Sequence, residues 1–205
     1  MAGARHSRAA RPVWLVVGLG NPGARYADTR HNIGAWVVDL LADRLEARLR
    51  KVRFLALDAA EATVGEHRLY LARPQAFMNE SGPPVAGFAR KRGVEPERVV
   101  VVHDEIDLPF GALKVKAGGS TAGHRGLDSL ARALRSTGFY RVRLGVGRPP
   151  GRKDPAAHVL EPFAKAEREE AALLADDGAE AVLVLMQEGL EAAQDRFNRR
   201  APQPR

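Results

Sequence analysis

The chain has 205 residues, 45% of them hydrophobic, and a formal charge of +7 from 32 basic and 25 acidic side chains. That length suits one large domain with material for a sizeable core, and no apolar run is long enough to cross a bilayer. With no cysteine there is neither a disulfide nor a thiolate nucleophile, and the six histidines are scattered without metal-ligand spacing.

Residues 1–12 are rich in Arg and Ala and lack acids. Without an apolar segment they do not read as a secretory signal; a basic disordered tail is expected, with a short transit peptide as the alternative. The apolar run Val13–Val17 predicts a strand that stops at Gly18-Leu19-Gly20-Asn21-Pro22-Gly23. After Thr29-Arg30-His31-Asn32, the residues Ile33, Val37, Leu40, Leu41 and Leu45 recur at helical spacing, with Asn32 in the N-cap place. Segments 53–57, 60–64 and 67–72 are expected as short strands, the last two joined through Gly65-Glu66. Asn79 and Ser81 precede a helix over about 82–92 that ends at Gly93. Val99–Val102 reads as a buried parallel strand and runs into His103-Asp104-Glu105-Ile106-Asp107. A strand over 113–116, a Gly-rich loop over 117–126, a helix near 127–136 and a strand over 140–147 follow. Residues 148–155 form a Pro/Gly/basic loop, two helices are expected near 163–174 and 177–198, and 199–205 reads as a second disordered tail. Strands alternating with helices indicate one α/β domain over 13–198, without internal repeats.

Charge is uneven. Between Glu161 and Asp195 ten acids face two bases (Lys165, Arg168), a net −8, so the remainder carries +15. A basic body beside an acidic C-terminal section suits a polyanionic partner on one side; the alternative is a solvated surface that prefers Arg.

Three polar groups sit at or near strand ends: Asn21, Asp104 and Arg143. His31 precedes a helix, whose positive end disfavours an imidazolium and so favours the neutral form that a general base requires. A carboxylate such as Asp104 would fix its tautomer. The competing reading is a histidine that only caps the helix. No G-x-S-x-G is present, so a hydrolase without a metal would use water, with Asn21 and Asn79 available to position it or to stabilise an oxyanion. The loop around Gly118-Gly119-Ser120-Thr121-Ala122-Gly123-His124-Arg125 is flanked by Lys114 and Lys116 and fits neither common phosphate-loop pattern.

Together the stretches VGLGNPGARYADTRHNIG (17–34), PQAFMNESG (74–82), VVHDEIDLPFG (101–111), KVKAGGSTAGHRGLDSL (114–130) and RVRLGVGRP (141–149) resemble the bacterial-type peptidyl-tRNA hydrolase family, in order and in spacing. The resemblance implies a single α/β globule, a twisted mixed sheet with helices on both faces. It implies hydrolysis of the ester between a peptide and the 3′ end of tRNA, without metal or cofactor, by a cytoplasmic monomer. The family's catalytic histidine and its aspartate fall on His31 and Asp104, and its active-site asparagines on Asn21 and Asn79. Tyr26, Phe77 and Met78 match positions of the substrate crevice, while Lys114, Lys116, His124 and Arg143 fall on the tRNA side. Two positions depart from the family pattern. Arg125 stands where Asn is usual in the substrate site; a guanidinium donates but cannot accept, and it is always charged. His158 stands where an aromatic residue is usual. Three functions follow: an active esterase, a paralogue with weak or lost hydrolysis that binds tRNA or another structured RNA, or a nucleoside- or phosphate-handling enzyme on a related sheet.

Overall fold

The computed structural model describes residues 12–198. The tail expected over 1–12 lies outside them except for Pro12, whose carbonyl accepts a hydrogen bond from the Arg68 N–H at 3.0 Å; the tail over 199–205 lies wholly outside. Seven strands are formed: β1 (Val13–Gly18), β2 (Arg50–Lys51), β3 (Leu57–Val64), β4 (His67–Pro74), β5 (Val99–Glu105), β6 (Leu113–Ala117) and β7 (Tyr140–Gly145). They make one sheet in the order β2-β3-β4-β1-β5-β7-β6. The central strands β4, β1, β5 and β7 are parallel, and β2, β3 and β6 add antiparallel edges.

Alternation of side chains along β1 and β5 divides the core in two. On one face Val16, Val100 and Val102 pack under α1 (Ile33–Arg44), α5 (Arg168–Glu188) and α6 (Leu190–Phe197). On the other, Leu15, Val17, Val99 and Val101 pack under α2 (Gly82–Arg92) and α3 (Arg125–Leu134). Each fully buried Val or Leu of these strands contributes about 2 kcal/mol of hydrophobic free energy. The outer layer of α5 and α6 carries most of the acids of the C-terminal section, including Glu169, Glu170, Asp176, Asp177, Glu180 and Glu191. Among the described residues no helix is long and apolar enough to cross a membrane.

The chain leaves β1 toward α1 on one face and leaves β4 toward α2 on the other. A crevice therefore opens beyond their carboxyl ends, where open α/β sheets bind ligands. Two glycines set how closely these elements meet. A Cβ on Gly18 would lie 2.3 Å from the Gly34 carbonyl oxygen, and one on Gly34 would lie 2.3 Å from the Val102 carbonyl oxygen. The start of α1 is thereby pressed onto the ends of β1 and β5, which carries His31 over Asp104.

Several elements differ from the expectations. Residues 53–56 are a turn, and 57–64 form one continuous strand. The strand expected over 140–147 stops at Gly145, and α3 begins two residues early, at Arg125, because the His124 imidazole caps it. The C-terminal helices divide at Gly189 (φ 94°), beyond the expected break at 175–176. A short helix, α4 (Pro155–Val159), forms after the basic loop, with the Asp154 carboxylate accepting from the Ala156 N–H at 3.1 Å.

Candidate active site

The crevice at the sheet's carboxyl end encloses about 540 Å³ and is lined by Asn21, Tyr26, His31, Phe77, Asn79, Asp104, His124 and Arg125, with Asp154, Pro155 and Val159 of the α4 segment. Its centre is one carboxylate oxygen shared by two imidazoles. Asp104 Oδ1 lies 2.8 Å from His31 Nδ1 and 3.0 Å from His124 Nε2. Asp104 is buried, so it is held ionised only by these partners. Burial pushes its pKa up, but His31 and His124 outweigh that and hold it well below the usual carboxylate range.

The hydrogen bonds assign the tautomers. His124 Nδ1 accepts from the backbone N–H groups of Gly126 and Leu127 at 3.2 and 3.3 Å, so its proton is on Nε2 and is donated to Asp104. His31 donates from Nδ1, which leaves the lone pair of Nε2 for the crevice. Burial pulls the His31 pKa down and the Arg125 charge adds to that, but attraction to Asp104 and the hydrogen bond between them win, and the pKa is raised. The helix-start argument from sequence is thus outweighed by the carboxylate. The three imidazoles of His31, His124 and His103 stand in a row, with ring centroids 5.1 and 4.9 Å apart. His103 is fully buried; burial, with His124 beside it, lowers its pKa to about 3, so it stays neutral. Its Nδ1–H donates to the Asp104 carbonyl at 2.7 Å, and its Nε2 has no hydrogen-bond partner among the described residues.

Histidines scattered in the sequence are therefore gathered in space. The ligand atoms of His31, Asp104 and His124 lie within 4.8 Å of one another, a set able to hold a cation. As built, both facing nitrogens spend their protons on the carboxylate, so a metal would have to displace two of them.

Asn21 is fixed by a second asparagine. The Asn21 N–H donates to Asn32 Oδ1 at 2.8 Å, and the Asn21 carbonyl accepts from Asn32 Nδ2 at 2.9 Å. Asn32 occupies the N-cap place, but its side chain makes no cap bond and braces this loop instead. Asn21 Oδ1 accepts from the Met78 N–H at 2.8 Å. Its amide N–H groups therefore remain for the crevice. Asn79 sits in the adjacent turn of 78–80, exposed on the crevice wall. Tyr26 and Phe77 meet edge to face with centroids 6.4 Å apart. Met78 is buried beneath Gly126, so it forms floor more than wall.

The residues expected on the tRNA side divide. Lys114 opposes Arg143 and Lys116 opposes Arg141 across β6 and β7, a cross-strand ladder of four cations. Like charges so placed repel one another, and Glu105 offsets part of this through Arg143, with contacts of 3.1 and 2.9 Å. Burial and the neighbouring Arg141 and Arg143 lower the Lys116 pKa. His124, in contrast, faces inward onto Asp104. Arg125 is exposed on the crevice wall at the first position of α3, without a hydrogen bond or ion pair among the described residues.

Sequence reasoning missed four contributors. Arg141 is buried and donates to the Ser120 carbonyl at 2.6 Å, which props the Gly-rich loop. Arg30 donates to the Pro162 carbonyl at 2.9 Å and to both Glu167 oxygens at 2.9 and 2.7 Å, which ties the α4 segment to the His31 turn. His103 and Asn32 complete the set. The signal available was Asp154-Pro155, a helix-start pair that marks α4. His158, the second departure, is buried in that helix; burial, then Arg30 and Lys153, lower its pKa.

The peptidyl-tRNA hydrolase family model matches residues 15–205. The peptidyl-tRNA hydrolase of Frankia alni is 51% identical over 185 residues, covering 90% of this chain and 93% of that protein. That of Nocardia farcinica is 48% identical over 184 residues, covering 90% and 95%. The crystal structure of peptidyl-tRNA hydrolase from Acinetobacter baumannii superposes with a TM-score of 0.86 at 32% identity, covering 93% of this chain and 97% of that one.

Proposed function

This chain belongs to the peptidyl-tRNA hydrolase family, and on that premise we propose that it cleaves the ester between a peptide and tRNA with His31 as general base. The observation that carries the assignment is the 2.8 Å contact of His31 Nδ1 with buried Asp104, which leaves Nε2 as an acceptor in a crevice walled by two side-chain amides. In this reading Nε2 takes a proton from water as the oxygen attacks the ester carbonyl. Asp104 stabilises the imidazolium that forms, and His124 holds Asp104 in place. The amide N–H groups of Asn79 and Asn21 donate to the tetrahedral oxyanion. Collapse breaks the bond to the ribose oxygen, and His31 returns its proton to that oxygen. Peptide carboxylate and free tRNA leave. An activated ester needs less assistance than an amide, which suits a site built without a nucleophilic side chain.

Lys114, Lys116 and Arg143 would meet tRNA phosphates independently of sequence. Tyr26 and Phe77 would flank the residue at the scissile ester, with Met78 beneath.

The test is turnover of N-acetyl-aminoacyl-tRNA, with and without EDTA. His31→Ala is expected to abolish release of tRNA while leaving tRNA affinity nearly unchanged; near-normal turnover removes His31 from the mechanism. A second reading rests on Arg125, an unpaired cation in the crevice whose charge opposes protonation of His31. It makes the chain an RNA binder with weakened hydrolysis, and a sharp rise in turnover for Arg125→Asn would favour it.

A further inference from the structure

The turn between β2 and β3 holds an aromatic ring out into solvent. Phe54 is 88% exposed, and its φ of 66° lies in the left-handed region, which a bulky L-residue adopts at a cost of about 1–2 kcal/mol. The turn is nonetheless well fixed. The Val52 N–H donates to the Leu57 carbonyl and the Leu57 N–H to the Leu55 carbonyl, both at 2.8 Å, and the Gln75 N–H donates to the Ala56 carbonyl at 2.8 Å. Val52 and Leu55 pack against the core shared with α2. The chain thus anchors the residues around Phe54 and spends strain to keep its ring exposed.

Its surroundings are cationic. Arg48, Arg50, Lys51 and Arg53 are exposed, and no acid occurs between Glu46 and Asp58. The Arg53 guanidinium lies 4.6 Å from the Phe54 centroid, covering one ring face and leaving the other open. A Cβ on Gly87 of α2 would lie 3.2 Å from Leu55, so the turn packs close to that helix, and Arg90 and Lys91, three and four residues on, share that helix face. Among the described residues none of Arg48, Arg50, Lys51, Arg90 or Lys91 is ion-paired with an acid. Cations alone would protect the edge strand β2 from pairing with another chain. A strained, protruding phenyl ring does not serve that purpose.

We propose that this turn is a second RNA-docking surface, on which an unpaired base stacks on the open face of Phe54 while the flanking cations hold the adjoining phosphates. Phosphate contacts supply affinity, and aromatic stacking selects a single-stranded segment. The surface lies four strands from Asp104, about 19 Å across the sheet. It therefore takes a stretch of RNA separate from any end bound in the crevice, and it does not depend on the hydrolytic reading.

The experiment is fluorescence anisotropy of the full chain with a labelled twelve-nucleotide oligoribonucleotide across a range of salt, beside a labelled polyphosphate of matched charge. Phe54→Ala is expected to weaken RNA binding about tenfold and to leave polyphosphate binding unchanged. Arg50→Glu with Lys51→Glu is expected to weaken both and to lower the salt slope by about two. Phe54→Gly should melt at or above the wild-type temperature, since it relieves the left-handed strain. Unchanged RNA affinity in Phe54→Ala, or an equal loss on both probes, overturns the proposal. So does a clear drop in melting temperature for Phe54→Gly, which would make the ring structural.

Discussion

Asp104→Asn separates the charge of the central carboxylate from its shape. The amide keeps an oxygen able to accept from His31 Nδ1 and His124 Nε2, so the packing around a residue 2% exposed survives. What is lost is a negative charge about 4 Å from the centre of the imidazolium that the proposed mechanism forms during attack. At an effective dielectric near 20 this is worth about 4 kcal/mol, or roughly a thousandfold in turnover. With His31 as the proposed general base, attack requires its neutral form, so the rate should rise as pH passes upward through its pKa. In the native site Asp104 outweighs burial and raises that pKa above 6.5, so the acid limb lies above 6.5. In Asp104→Asn, burial and Arg125 remain, both act downward, and the limb moves below 6.5. Initial rates on N-acetyl-aminoacyl-tRNA from pH 5 to 9 give kcat and KM for both proteins. A thousandfold fall in kcat, with KM little changed and the limb shifted down, is the expected result. Activity within tenfold of wild type, or a limb that stays in place, refutes the electrostatic role given to Asp104.

His103 predicts a stability effect. Its pKa is depressed to about 3 in the folded chain, so below about pH 6.5 the unfolded state takes up a proton that the folded state refuses. Its contribution is present above pH 6.5 and lost as the pH falls, by up to about 1.4 kcal/mol per unit. Urea unfolding at pH 6.5 and 5.0 should show His103→Asn losing about 2 kcal/mol less than wild type over that interval; equal losses would mean the buried ring is not the proton sink. Gly34→Ala places a Cβ 2.3 Å from the Val102 carbonyl oxygen and should cost about 3 kcal/mol. For a chain of this size that is a drop in Tm of roughly 6–12 °C, and a Tm within 2 °C of wild type would show that α1 can lift off β5 freely.

How far sequence reached can be seen in particular residues. The strand leading to Asn21, the helix after His31 and the buried valines before Asp104 carry strong periodicity, and all three form as expected. The expected break at 175–176 does not form: one helix runs from Arg168 to Glu188 and passes through Gly178, a residue type that commonly ends a helix. Gly178 is small for another reason: a Cβ there would lie 3.0 Å from Val37 and 3.1 Å from Leu144, so it lets α5 settle against α1 and β7. Residues Arg53-Phe54-Leu55-Ala56-Leu57 have the apolar content of a short strand, but Val52 and Leu55 pack inward and the backbone reverses at Phe54 (φ 66°). In the site, His31 and Asp104 are 73 residues apart, and an imidazole's need for an orienting carboxylate, together with the family's motif order, pairs them ahead of the fold. The second imidazole on Asp104 is not legible because His124 lies in a Gly-rich loop that fits no common ligand-binding pattern and that the resemblance places on the tRNA side. Its role depends on capping α3 with one nitrogen while the other reaches β5, a relation that no spacing rule encodes.

The acid-rich layer of α5 and α6 has a kinetic consequence. It lies on one side of the sheet, while Arg53, Phe54, Arg90 and Lys91 lie toward the other and the ladder of β6 and β7 occupies one edge. Such a separation gives the molecule a permanent moment that turns it in the field of an approaching nucleic acid before the two touch. Collisions on the outer helices are deflected, and those that persist arrive with the cations foremost. Capture at low ionic strength would thus be quick and already oriented, and salt at a few tenths molar should slow arrival far more than departure.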